Sequence, residues 1–101
     1  MDLRRLRYFL AVAEEGKITK AAKRLHMAQP PLSQQMKVLE NELGVQLLEK
    51  AGREIRLTKV GQALCERGAQ ILDLVDRTEK ELKDMATFQE GFALQSEKQC
   101  E

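Results

Sequence analysis

The stretch KITKAAKRLHMAQPPLSQQMKVLENELG, residues 17–44, decides the fold. It holds two runs of helical period, and the gap between them is too short for a third element. The first run, Lys20 to Leu25, puts Ala21, Ala22 and Leu25 on one side, with Thr19 placed to cap it. His26-Met27-Ala28-Gln29 is a turn. Pro30 and Pro31 then suit the first turn of a second helix, where a missing N–H is harmless and φ is already set. That helix runs over 30–43 with Leu32, Met36, Leu39 and Leu43 inward, and Gly44 stands at its C-terminal stop. Two helices joined by a turn of about four residues have helix-turn-helix spacing.

Upstream, residues 3–15 read as a further helix. Leu3, Leu6, Phe9, Leu10 and Ala13 form its apolar face, and Gly16 ends it. Downstream of Gly44 the period changes. Val45, Leu47 and then Ile55, Leu57 alternate with polar residues, which predicts two short strands joined by a tip at 51–54. So short a hairpin must pack against the helices to persist in water. Thr58 then caps a last helix that meets no breaker except Gly68 up to about Gln89. Along it Leu64, Gly68, Ile71, Val75, Thr78, Leu82 and Met85 follow an alternating 4-3 spacing. That stripe is too long for the small helical core to cover, and its natural cover is a second copy of itself.

The expected architecture is therefore mainly α: a winged helix-turn-helix of three helices plus a short β-hairpin wing, followed by a long dimerisation helix. The expected divisions are 1–58 for the DNA-binding domain, 59–90 for the linker and dimerisation helix, and 91–101 for a frayed or non-native tail.

Composition narrows the function. The chain has 101 residues, room for one small domain plus an extended element, and 43 % of them are apolar, too many for a disordered tail. Cys65 and Cys100 are the only cysteines and His26 the only histidine, so there is no zinc module and no disulfide framework. No apolar run reaches the length of a membrane span and no signal-peptide core opens the chain, which makes the cytoplasm the expected location. The net charge of +1 hides an asymmetry. Residues 1–60 carry 12 Lys/Arg against 7 Asp/Glu, whereas residues 61–101 carry 5 against 9. A basic front and an acidic rear fit a polyanion-binding module attached to something with another task.

The second helix of the pair exposes Gln29, Pro30, Ser33, Gln34 and Lys37 opposite its apolar stripe. An α-helix fits the major groove of B-DNA, where each base pair shows a distinct donor and acceptor pattern. Gln bonds an adenine edge in bidentate fashion, and Ser donates or accepts. Gln29, Pro30, Ser33 and Gln34 are thus the candidate base-contacting residues. Lys17, Thr19, Lys20, Pro31, Lys37, Lys50 and Arg56 are candidates for the phosphate backbone, which sets register without reading sequence. Arg53, at the hairpin tip, would reach an adjacent minor groove or the backbone. No acidic side chain stands on the reading face before Glu40. Leu64, Ile71, Val75, Leu82 and Met85 are the candidate dimer seam.

Several stretches here resemble the DNA-binding domain of LysR-type transcriptional regulators. They are Leu3-Arg4-Arg5-Leu6-Arg7-Tyr8-Phe9, Lys17 to Ala22, Leu25 to Ser33, Leu39 to Lys50 and Leu57-Thr58-Lys59-Val60-Gly61. The similarity covers residues 1 to about 92 without a gap, with most likeness to the branch that controls aromatic-compound degradation. It implies a bacterial regulator that dimerises through its linker helices, often assembles into tetramers, and binds an interrupted inverted repeat in double-stranded DNA. Two departures stand out. The position after Ser33, usually Arg in the family, is Gln34. The large two-lobed domain that binds a small-molecule inducer does not follow, so the chain itself holds no cofactor and is expected to be a fragment.

Two other classes do not fit these residues. An adaptor module capturing partner helices would carry acidic residues on the 29–37 face, which are absent. An enzyme would need a nucleophile–base pair or a phosphate-cradling glycine loop, and neither is present. Elsewhere the plainest readings suffice: His26 as a solvated turn residue, Cys65 as half-buried and inert, and Arg77 to Asp84 as a solvated helix face.

Overall fold

The computed structural model describes residues 1–88, so the expectation for the 91–101 tail lies outside the described residues. In chain order it has α1 (Leu3–Glu15), α2 (Ile18–Arg24), α3 (Gln29–Leu43), β1 (Leu48–Ala51), β2 (Glu54–Leu57) and α4 (Lys59–Phe88). The architecture is the expected winged helix-turn-helix with a long terminal helix.

Local chemistry explains the boundaries. Asp2 caps α1, accepting the Arg4 N–H at 2.7 Å and the Arg5 N–H at 3.3 Å. Those two bonds, Arg4's first, hold the Asp2 carboxyl below its ordinary value. Gly16 ends α1 at φ +73°. α2 stops on a paired carbonyl motif: the His26 N–H bonds Lys23 O at 3.2 Å and the Met27 N–H bonds Ala22 O at 2.9 Å. This places His26, a non-glycine residue, in the left-handed region at φ +56°. α3 begins with Pro30 and Pro31 in its first turn and ends at Gly44, φ +70°. Thr58 caps α4, its Oγ1 accepting the Gly61 N–H at 3.0 Å.

One cluster forms the core: Phe9, Val12, Ala21, Ala22, Leu32, Met36, Leu39 and Leu47, with Ile55, Leu57 and Leu64 packed against it. Each piece of the domain contributes, as a core this small requires. The hairpin is antiparallel, pairing Leu48 with Leu57 and Ala51 with Glu54. It docks on the helices through the Ile55 N–H, which bonds Gly16 O at 2.8 Å.

Several expectations need correction. Thr19 does not cap α2; the helix starts at Ile18 with Lys17 in the extended capping position, and Lys17 supplies no side-chain bond. The inner face of α1 is Leu6, Phe9, Ala11 and Val12, while Leu3 is exposed because the helix start overhangs the core. Leu43 is also exposed, one turn beyond the last core contact of α3. The first strand does not include Val45 or Leu47. Leu47 is fully buried ahead of the strand and Val45 is exposed, so their apparent alternation came from a bend rather than a pleat.

Candidate nucleic-acid interface

α2 and α3 meet at the turn 25–28, which brings the start of α3 beside the start of α2. The hairpin swings back over the same side. The result is a cleft of about 260 Å³ lined by Ile18 and Thr19 of α2, Gln29 and Ser33 of α3, and Lys50, Gly52, Arg53, Glu54 and Ile55 of the wing. Gln29 and Arg53 are exposed and Ser33 is half-buried. Of the candidate residues, Thr19, Gln29, Ser33, Lys50 and Arg53 are therefore brought to one opening. Pro30, Pro31, Gln34 and Lys37 are exposed on α3 and Lys20 on α2, outside the cleft lining. Thr19, although no cap, lines the cleft from the first turn of its helix.

Gly52 allows the tip to close. Its φ of +66° is the left-handed conformation that a two-residue hairpin turn favours and that side chains resist.

Ion pairing divides the cations. Arg5 bonds Gln35 at 2.7 Å and reaches Glu42 at 3.4 Å, Arg7 pairs with Asp76 at 3.6 Å, and Arg77 with Asp73 at 3.2 Å. Arg24 clamps α1 to α2, its guanidinium bonding Glu14 at 2.9 Å and Glu15 at 3.1 Å. The Glu14 carboxylate, with Glu15 behind it, raises Arg24 above its ordinary value. Arg56 faces Glu49 across the wing at 3.4 Å. Among the described residues, Lys17, Lys20, Lys37, Lys50 and Arg53 make no ion pair. Of these, Lys50 and Arg53 line the cleft itself. Arg4, Lys23, Lys59, Arg67, Lys80 and Lys83 are likewise without an ion pair among the described residues, whereas Arg5, Arg7, Arg24 and Arg77 are engaged. Of the backbone candidates, Arg56 is the one already engaged.

Sequence reasoning missed Glu54. It lines the cleft from the wing, an acidic group brought next to the α3 face on which none precedes Glu40. Its register opposite Ala51 was the available signal, since a two-residue turn puts Glu54 at the tip's edge. Ile18 and Ile55 were also missed as cleft walls.

The seam candidates split along α4. Leu64 packs against the domain's own core, and Gly68 lies buried on α1, where an added Cβ would come within 2.8 Å of Leu6. Ile71 and Val75 are half-buried, and Leu82 and Met85 are exposed. Leu74, not among the candidates, joins Ile71, Val75 and Thr78 along a shallow apolar groove. Cys65, on the docked part of the helix, has its thiol pushed up by burial, with the Glu14 and Glu66 charges adding to it. No helix among the described residues is long and apolar enough to cross a membrane.

Residues 3–62 match the model of the bacterial regulatory helix-turn-helix proteins of the lysR family, and the chain belongs to that family. It is 51 % identical over 78 residues to the HTH-type transcriptional regulator TcbR of Pseudomonas sp. (strain P51), covering 77 % of this chain and 26 % of that protein. It is 44 % identical over 94 residues to the regulator BenM of Acinetobacter baylyi (strain ATCC 33305 / BD413 / ADP1), covering 93 % of this chain and 31 % of BenM. The chain thus spans about a quarter of TcbR and about a third of BenM. Among solved structures, the CbnR DNA-binding domain in complex with DNA superposes with a TM-score of 0.82 at 48 % identity, over 85 % of this chain and 99 % of that one.

Proposed function

We propose that this chain is the sequence-specific DNA-binding part of a dimeric, cytoplasmic transcriptional regulator. In this reading α3 enters the major groove, Gln29, Pro30, Ser33 and Gln34 meet base edges, and the wing reaches an adjacent minor groove or the backbone. The observation that carries it is the shared cleft of reading helix and wing, flanked by cations with no internal partner. Phosphates supply the missing anions, and releasing their counterions drives the binding. The solved complex of CbnR's DNA-binding domain with DNA supports the same reading for a chain this similar. The exposed apolar side chains of α4 are covered by a second copy, so the two reading helices face two half-sites of an interrupted inverted repeat. Tetramers, and control by a small inducer, belong to the longer protein. Residues 1–58 act as the reading domain and α4 as the linker, with no catalytic role for either.

The test begins with selection of a preferred site from random duplexes, followed by anisotropy titrations at increasing salt. Affinity should fall on a log–log plot with a slope near −0.9 for each phosphate neutralised. Gln29→Ala should cost roughly 1–3 kcal/mol on the selected site, relax preference at one base pair per half-site, and barely change binding to random DNA. Salt-independent binding would end the DNA reading. Equal losses on every sequence would reduce this face of α3 to a backbone grip.

A further inference from the structure

The wing and the reading helix act on one duplex only if the angle between them is held. α3 ends at Leu43, and residues 44–47 carry the chain to β1 without regular structure. One side chain spans that gap. A single oxygen of Glu40 accepts the Leu47 N–H at 2.8 Å and the Leu48 N–H at 3.1 Å. Bonds from a carboxylate to backbone N–H groups are among the stronger hydrogen bonds available. Leu47, the point of attachment, is 1 % exposed.

The opposite edge of the same segment is held from α4. The Leu47 carbonyl accepts the Thr58 N–H at 3.0 Å, and the Thr58 hydroxyl donates to Gln46 O at 2.7 Å. Gly61 packs so closely on Leu47 that a Cβ there would strike the carbonyl oxygen. Three elements therefore converge on residues 46–48, and among the described residues only Glu40 joins that segment to the reading helix by hydrogen bonds. The other tether of the wing, Ile55 to Gly16, runs to the end of α1. Without Glu40 the wing would keep that tether, the Thr58 bonds and the buried Leu47 side chain, and would lose its side-chain bonds to α3.

We propose that Glu40 is a positioning residue for DNA recognition, a strut that fixes the wing against α3 so that Arg53 and Gln29 engage one duplex together. The proposal rests on the DNA-binding reading above. Arg53 should then contribute only when Glu40 is present, whereas a side chain that merely stabilises the fold would leave its contribution unchanged.

The experiment is a double-mutant cycle on the selected duplex, well below the melting temperature of every variant. In the parent chain Arg53→Ala should weaken binding by about tenfold, the size of one charged hydrogen bond. In the Glu40→Ala background the same change should have almost no effect, and Glu40→Ala alone should cost about as much as Arg53→Ala. Glu40→Gln, whose amide oxygen can still accept both N–H groups, should restore most of the affinity. Additive losses from Glu40→Ala and Arg53→Ala would overturn the strut. A second measurement is independent of DNA: nitroxides on Lys37→Cys and Arg53→Cys, with Cys65→Ser and Cys100→Ser, report the distance from α3 to the wing. Glu40→Ala should broaden that distribution, and an unchanged distribution would overturn the proposal. If Arg53→Ala were harmless in the parent chain, the wing contact would fail as a reading and the nitroxide distances would still decide the strut.

Discussion

Between Lys59 and Gly68, α4 lies on the winged domain: Leu64 meets the core, Gly68 nestles on Leu6, and Gly61 touches the backbone of Leu47. From Ile71 onward the same apolar spacing continues, yet Leu74, Leu82 and Met85 are 57 %, 60 % and 54 % exposed. One periodic pattern thus divides into a near half packed on its own domain and a far half left exposed. The two glycines allow the near half to dock, because close approach of a helix to backbone or to a buried side chain leaves no room for a Cβ. The far half keeps an ion pair to α1 through Arg7 and Asp76, yet Leu74 and Leu82 stay exposed. A solvated helix would rarely keep so continuous an apolar stripe.

Substitutions in the two halves should behave differently. The largest effect belongs to the surface on which the docked half rests. Leu47→Ala should destabilise the winged domain by about 2–5 kcal/mol, since it empties a fully buried site shared by three elements. Thermal melting followed by circular dichroism measures it, and a loss under 1 kcal/mol would mean that α4 and the wing are held elsewhere. In the bare half, Leu82→Glu should leave the melting of residues 1–58 almost unchanged and shift the sedimentation mass from dimer toward monomer. Apparent affinity for the selected site would fall with it, because two linked half-sites bind as one. An unchanged mass would show that this half is covered by something other than a second copy.

Smaller effects sharpen the boundary between the halves. Gly68→Ala gains up to about 1 kcal/mol of helix propensity but must displace the Leu6 side chain, so the two effects should nearly cancel. The change in melting temperature should be much smaller than for Gly61→Ala, which meets backbone that cannot yield. Cys65 supplies the finest probe. Its thiol titrates above the ordinary cysteine value, so at a pH near that value it stays protonated in the folded chain. Alkylation in a Cys100→Ser background should then be slower folded than unfolded, with the gap closing as pH rises past the folded value. Since the folded state holds this proton longer, the contribution of Cys65 to stability is complete below the unfolded value and is lost as pH rises toward the folded one. Equal rates at every pH would place Cys65 on the bare side.

Most of the candidate interface was legible in advance because it is local. The prolines at 30 and 31, the left-handed Gly44 and the spacing of Ala21, Ala22, Leu32, Met36 and Leu39 determine two helices and the turn between them. That geometry already exposes Gln29 and Gln34. Short-range chemistry also marked Thr58 as a cap and 51–54 as a tip. It misplaced Thr19, because a Lys in extended conformation serves at the helix start when the following backbone is held by the fold.

What the tertiary structure decided is non-local. Whether Leu47 pleats or plugs depends on Thr58 and Gly61 beyond the hairpin, and whether Leu64 faces a partner or its own core depends on α1. Glu54 joins the cleft through strand register, and Glu40 reaches the wing across a bend. Periodicity reports that a side chain is to be covered. Which group covers it is set by contacts between segments far apart in the chain, and those exist only once the core has closed.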